Sequence, residues 1–568
     1  MVQLKEKPFY LTDDQIEWVT QTLEHMSTEE KTGQLFFPVF APGSSSISTE
    51  LSRLPYQPGG FYLRLDKAET LRNIIREIQA YYAVPLLIAA DLDRGPGSHI
   101  EEGTILGCEM AIAACRDPEM AYQAGLACAR EAHAVGINWN FGPVVDIDYN
   151  YRNPATNVRT FGSDPHTVKE NATAYARGLR DGGLLSCMKH WPGDGRDERD
   201  QHFLASINDC SVEEWDKSYG MVYQAMIDDG TETLMSAQIM LPAYSRYYRP
   251  ELKDEDILPG SLNADLHNRL LRGKLGFNGL IVTDATSMAG FTEVLPRHIA
   301  VPTAIANGAD IFLFNRNKEE DYEFMLAGVK SGLISEDRLN DAVTRILGLK
   351  ARQGLHERKS SCQLIPPDKE LKWIGAKCHK QLAEDIADRS ITLVKDTQNL
   401  LPLDHKKIKN IFLIVLGDTP NYHNKRGGYA DLFRQQLEQE GFSVKLYQPE
   451  KKEHEYDTLP IREFSKRYDL VIYFVNWATN GQDGAIRISW PGDRRESVPT
   501  MLADIPVMMV SVDQPYHLAD VPRMKTYINA YTSSEIAIEK VVEKMLGKSE
   551  FCGQSPVDPF CGLFNAKY

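Results

Sequence analysis

The sequence predicts an α/β protein in two parts. The first is an N-terminal (β/α)8 TIM-like barrel over residues 1–355. The second is a C-terminal α/β/α sandwich over residues 379–568, with a linker at 356–378 between them. Three observations predict this. At 568 residues the chain is too long for one hydrophobic core. Short apolar runs alternate with helical periodicity along its whole length. Several N-terminal apolar runs end in a charged residue, as they do in a barrel that gathers its chemistry at the C-terminal ends of its strands. A doubly wound open sheet is the structural alternative, and strand count does not separate the two; the charged strand ends favour the barrel.

Taken in order, residues 13–30 read as one amphipathic helix, with Ile16, Val19, Leu23 and Met26 on a face. Strands are expected near Gln34–Val39, Gly60–Leu65, Val84–Asp91, Ile137–Val145, Leu184–His190, Thr233–Ile239, Gly279–Asp284 and Asp310–Phe314. Asp91 and Asp93 follow Leu86–Ala90. Asp146 and Asp148 follow Pro143-Val144-Val145. Lys189 and His190 end the fifth run, and Asp284 ends Leu280–Thr283. The last barrel helix is expected at Glu336–Gln353, stopped by Gly354. Lys359–Lys372, with its Ser-Ser, Pro-Pro and many charges, marks the linker. Beyond it, strands are expected at Ser390–Lys395, Asn410–Leu416, Ser443–Tyr447, Leu470–Asn476, Val507–Val512 and Thr526–Ala530. Helices such as Tyr429–Gly441 and Ser534–Leu546 lie between them, which is the pattern of a three-layer sandwich.

Composition narrows the function. The net charge of −16 disfavours nucleic acid and anionic membrane as partners. The nine cysteines are scattered, with no C-x-x-C pair, which fits a reducing compartment and no structural zinc. The N-terminal segment shows no apolar signal-peptide core, and no 18-residue apolar run suggests a membrane span. A cytoplasmic protein is expected, with no cofactor and no metal, acting on a carbohydrate. His405, His454 and His517 read as surface or core residues.

The stretch Lys189–His202, KHWPGDGRDERDQH, carries the most chemistry. Pro192, Gly193 and Gly195 forbid regular structure after the strand. Asp200 stands two residues before His202. A carboxylate at that spacing can bond one ring nitrogen, set the tautomer and raise the basicity of the other, as a proton donor and acceptor near neutral pH requires. Asp284 at a strand end is a carboxylate held by packed backbone. Such a group can attack an anomeric carbon when a proton donor lies across the scissile bond.

These residues resemble a known family. Lys-His-x-Pro-Gly-x-Gly followed by Asp-x-His is similar to the β-N-acetylglucosaminidase branch of glycoside hydrolase family 3. Asp-x-x-x-Met, from Asp284 to Met288, resembles the family's nucleophile motif. The family usually has a second His where Asp194 stands. The resemblance implies that Asp284 is the nucleophile, His202 the acid/base and Asp200 its orienting partner. It also implies sugar-binding roles for Asp91, Arg159, Lys189, His190 and Met288, with Asp93 as a support. A further family arginine is absent, and His99 lies near its place. The implied activity is exo-acting, retaining β-N-acetylglucosaminidase. Three other readings use the same residues: a phosphorylase, because His202 is not an anion that would repel phosphate; a β-glucosidase or β-xylosidase; and a non-catalytic sugar-binding protein, whose expected mark is a lost nucleophile or dyad. In the C-terminal part, the loop Asn480–Gly484 through Trp490-Pro491-Gly492, with Trp477, is a candidate lid that stacks on sugar.

Overall fold

The protein is an α/β fold with parallel sheets. The structure, a computed structural model, describes residues 2–41, 46–420, 427–447, 459–477, 487–490 and 497–568. The N-terminal periodic stretch forms two helices, not one. Asp13–His25 ends at Met26, and Ser27 starts Thr28–Gln34. The reason is a second start signal inside the periodic run. Ser27 and Glu30 form a capping box, as Thr12 and Gln15 do for the first helix.

Parallel pairing then passes from strand to strand in chain order. Val39–Phe40 pairs with Gly60–Leu63, which pairs with Leu87–Ala90, which pairs with Trp139–Asn140. A bridge from Trp139 to Leu185 leads to Cys187–Trp191, beside Thr233–Ser236 and then Leu280–Thr283. A bridge from Val282 to Ile311 leads to Phe312–Leu313, which pairs with Phe36–Phe37. The strands are shorter than their apolar runs. In the run Ile137–Val145, only Trp139–Asn140 is regular strand, because Pro143 cannot donate to a ladder. Inside, Phe37, Trp139 and Phe141 meet edge to face and fill the space between strands.

The C-terminal part is one six-stranded sheet. Its order is Thr392–Asp396, Thr526–Asn529, Val507–Val512, Leu470–Asn476, Asn410–Gly417 and Ser443–Tyr447, and only the first strand is antiparallel to its neighbour. Leu470–Asn476 is buried throughout, as a strand covered on both faces must be. Phe433, Leu437, Ile538 and Val541 from two helices pack on one face. Phe464, Ile505 and Leu518 cover the other.

The segment read as linker is packed and partly helical, contrary to its loop-like composition. Leu355–Ser360 is a helix and Asp368–Trp373 a 3₁₀ turn. The buried Arg72 guanidinium donates to Pro366 O (3.0 Å) and Asp368 Oδ1 (2.7 Å), which fixes the segment to the preceding helices. Among the described residues, no helix is long and apolar enough to cross a membrane.

Candidate active site

Four charged side chains, from one strand, the stretch after another and a 3₁₀ turn, form one network. Lys189, on the wholly buried strand Cys187–Trp191, extends Nζ to Asp91 Oδ1 at 2.8 Å and Asp93 Oδ1 at 3.3 Å. Arg159, on the turn Asn157–Arg159, donates from Nε to Asp93 Oδ2 at 3.2 Å. Burial alone would push the Lys189 ammonium down; the charges of Asp91 and Asp93 outweigh it and hold it above the usual lysine value. Burial likewise opposes the Asp93 carboxylate, and Lys189 and Arg159 overcome it, holding Asp93 well below the usual carboxylate range. Asp93 is thus a full member of the network, bridging both cations. Asp91 keeps 38% of its side chain exposed and is the carboxylate open to a ligand. Tyr62 donates its hydroxyl to Asp91 Oδ2 (2.9 Å) and lies 2.9 Å from His99 Nε2, so His99 reaches Asp91 through Tyr62.

His190 is fixed from behind. Its Nδ1 lies 2.6 Å from Asp146 Oδ2, and Asp146 Oδ1 accepts from the backbone N–H of His190 (3.1 Å) and of Asp194 (2.7 Å). Nε2 is therefore the ring atom left for a ligand. Asp194 is buried beside Asp146. Burial and that charge push its carboxyl up to about 7.

The loop that follows is held at many points. Gly195 has φ 102°, and a Cβ there would meet Ile147 O at 1.9 Å, so only glycine lets the loop lie against the neighbouring strand end. Asn153 Nδ2 donates to Asp194 Oδ1 (2.9 Å) and Asp197 O (2.8 Å). Gln238 N donates to Gln201 Oε1 (2.9 Å), and Ser206–Ile207 pairs in parallel with Ile239–Met240. At the loop's end, His202 Nδ1 is 2.7 Å from Asp200 Oδ1, which also accepts from His202 N at 2.9 Å. Asp200 is buried, while 30% of the His202 side chain is exposed. Burial pulls the imidazole down. The hydrogen bond that His202 donates to Asp200, the charge of Asp200 and that of Asp284 outweigh this, so His202 titrates above its ordinary 6.5.

Asp284 follows the buried strand Leu280–Thr283, and its N–H donates to Ser236 O at 2.7 Å, continuing the ladder one residue further. Its Oδ1 accepts from Ala285 N at 2.7 Å. Ala289 N donates to His202 O at 3.0 Å, which ties the loop bearing the dyad to the turn that Asp284 begins. Met288 is buried in that turn. The arrangement is a half-exposed carboxylate on rigid backbone, a protonatable imidazole within its electrostatic reach, and an ion network suited to hydroxyl groups.

Similarity to known proteins gives the family. The pattern described as "Glycosyl hydrolase family 3 N terminal domain" matches residues 27–349. The chain belongs to glycoside hydrolase family 3. A β-N-acetylglucosaminidase/β-glucosidase of Cellulomonas fimi is 42% identical over 567 residues and spans all of both chains. A β-hexosaminidase of Chromobacterium violaceum is 32% identical over 300 residues, 50% of this chain and 80% of its own. Among solved structures, a β-glucoside phosphorylase bound to 2FGlc superposes with TM-score 0.94 at 43% identity, covering 99% of each chain. A Paenibacillus β-N-acetylglucosaminidase shares the fold, with TM-score 0.78 at 24% identity over 95% of this chain and all of the other.

Within this family 3 chain, the candidate lid fares differently. Residues 480–486 and 491–492 lie outside the described residues, as does His454. Trp477 and Trp490 pack against the apolar cluster on the C-terminal sheet. His405 stacks on Phe442, and His517 is buried against Ser511 and Gln514. Sequence reasoning assigned no role to Tyr62 or Asp146. Tyr62 looks like any strand aromatic, and Asp146 was visible only as one strand-end carboxylate among several.

Proposed function

We propose that this family 3 enzyme is an exo-acting, retaining β-N-acetylglucosaminidase that works through a glycosyl ester on Asp284. The observation that carries the reading is the tie between two elements: Asp284 at a strand end, and the loop presenting the His202–Asp200 dyad anchored to the turn that Asp284 begins. In the first step the Asp284 carboxylate attacks the anomeric carbon. His202 gives its Nε2 proton to the leaving oxygen, while Asp200 holds Nδ1–H and compensates the ring charge. In the second step neutral His202 takes a proton from the acceptor, which attacks the ester. The net result is retention. Asp91, Lys189, Arg159 and His190 grip the sugar hydroxyls, and Met288, buried in the turn after Asp284, is assigned to the same site.

The parallel pairings from Phe36 round to Phe312 support a closed (β/α)8 barrel, with 1–355 as the catalytic unit, 356–378 as connector and 379–568 as an α/β/α sandwich. Nine unpaired cysteines support a cytoplasmic location. The acetamido sugar as substrate is supported by the name of the full-length relative, which joins both sugars, and by the His–Asp dyad.

A second reading keeps the glycosyl-enzyme and changes the acceptor. The acid/base is an imidazole, and its carboxylate partner is buried behind it, so no exposed carboxylate of the dyad repels phosphate. A phosphorylase stands among the similar structures. One experiment tests both readings. Aryl β-N-acetylglucosaminide and aryl β-glucoside are incubated with and without phosphate, and the sugar products are identified. The first reading expects free N-acetylglucosamine as the main product, formed faster than glucose. Sugar-1-phosphate as the main product would move the assignment to phosphorolysis, and equal or faster glucoside turnover would sink the acetamido preference.

A further inference from the structure

The site's sugar-gripping loops are braced from the other sheet. Two residues that follow the strand Val507–Val512 reach across the molecule. Asp513 Oδ1 accepts from Arg94 Nη1 at 2.8 Å, with the two side chains 0% and 9% exposed. Arg94 adjoins Asp93 in a tight turn closed by Gly95 N donating to Leu92 O at 2.9 Å. Tyr516, also buried, donates its hydroxyl to Asp148 Oδ2. Asp148 Oδ1 in turn accepts from Thr156 Oγ1 at 2.8 Å, and Thr156 O accepts from Arg159 N at 2.9 Å. One contact thus ends on the turn holding Asp91 and Asp93, and the other on the turn holding Arg159.

The strut itself is rigid. Pro515 O accepts from Tyr527 Oη (3.4 Å) and Asn529 Nδ2 (3.3 Å), both from the adjacent strand. Asp513 Oδ2 accepts from Ser533 Oγ at 3.0 Å. In open parallel sheets, the crevice outside the carboxyl ends of the strands is where a ligand ordinarily binds. Here the loops of the catalytic unit occupy that edge.

From this geometry we infer that Asp513 and Tyr516 are positioning residues for the glycosidase site. They act through Arg94 and through Asp148–Thr156 to fix Asp91, Asp93 and Arg159 in the arrangement that binds sugar. The inference rests on the proposed sugar-binding role of Asp91. It predicts that the C-terminal sheet sets substrate affinity without touching substrate.

The test uses the full chain and an aryl β-N-acetylglucosaminide, with KM, kcat and melting temperature measured together. Asp513→Asn removes the charge and keeps the shape. It is expected to raise KM about tenfold, the size of an effect carried through a packed network, with kcat changed by less than about threefold. Asp513→Glu, which keeps the charge, recovers part of the loss. Removing one partner of a buried pair also destabilises, so Tyr516→Phe, which deletes one hydroxyl, is measured beside it and is expected to raise KM about fivefold. Asp91→Asn is the control. If it raises KM while folded Asp513→Asn and Tyr516→Phe both stay within about twofold of the parent, the pair is structural cement and the inference falls. If Asp513→Asn does not fold, Tyr516→Phe alone decides by the same threshold. If Asp91→Asn leaves KM unchanged, the sugar-binding reading fails, and the inference with it.

Discussion

At the scale of single residues, the chemistry turns on one imidazole. His202 is raised above 6.5 because Asp200 and Asp284 outweigh burial. It therefore holds its proton to higher pH than an ordinary imidazole, as the proposed leaving-group acid requires. Asp200→Asn removes both the charge and the strong acceptor, leaving burial to dominate. The alkaline limb of kcat/KM is expected to move to lower pH, and a limb that stays in place would assign it to another group. His202→Ala should slow glycosides with basic leaving groups by about 10²–10⁴-fold and activated aryl glycosides far less. Equal losses for both would move the acid elsewhere. Asp197 is a poor substitute, because burial is offset there by Arg199 and by backbone N–H groups that hold it below the usual carboxylate range. The same shift bears on stability. A histidine raised on folding contributes stability that is fully present below 6.5 and lost as pH rises through its folded value. The advantage of the parent over His202→Gln in urea should accordingly shrink between pH 6 and pH 9. The dyad was legible in the sequence because its partners are two residues apart. Tyr62–Asp91 and Lys189–Asp91 are 29 and 98 residues apart, and no local pattern signals a contact made only when strands align.

At the scale of elements, the loop from Pro192 to Ile207 is the decisive piece. Its Pro and Gly content suggests freedom, yet backbone ladder, Asn153 and Gln201 all hold it. Gly195→Ala would force a Cβ onto Ile147 O in a backbone conformation that costs a non-glycine residue roughly 1–3 kcal/mol. It is expected to lower the melting temperature and to cut kcat/KM with substrate affinity little changed, since Asp91 and Lys189 lie on other elements. A variant with parent activity would show that the loop's path does not place the dyad. The short strand Ser206–Ile207 was not legible, because two residues give no period to read. The break between Asp13–His25 and Thr28–Gln34 was missed by a reading of apolar spacing alone, which passes over the capping box of Ser27 and Glu30.

At the scale of the whole molecule, alternating apolar and helical segments revealed an α/β chain with parallel sheets. The contact between the N-terminal part and the C-terminal sheet was hidden. Arg94 and Asp513 are 419 residues apart, and a single buried pair leaves no trace in composition. The exposed stretch Ser360–Gln363 lies between the helix Leu355–Ser360 and the anchored Pro366. Limited trypsin digestion should cut this segment first at the exposed Lys369. The two fragments should then elute together, because buried contacts such as Arg94–Asp513 and His379–Glu131 join them. Fragments that separate without denaturant would contradict the bracing.

In the proposed reaction Asp284 carries the sugar. A 2-fluoro glycosyl fluoride, which slows release of the ester more than its formation, is incubated with the protein, and the peptides are sequenced by mass spectrometry. One added sugar is expected on the peptide containing Thr283-Asp284-Ala285, with overall retention of anomeric configuration seen by NMR before mutarotation. A label on Asp91 or Asp146, or inversion with no label at all, would contradict it.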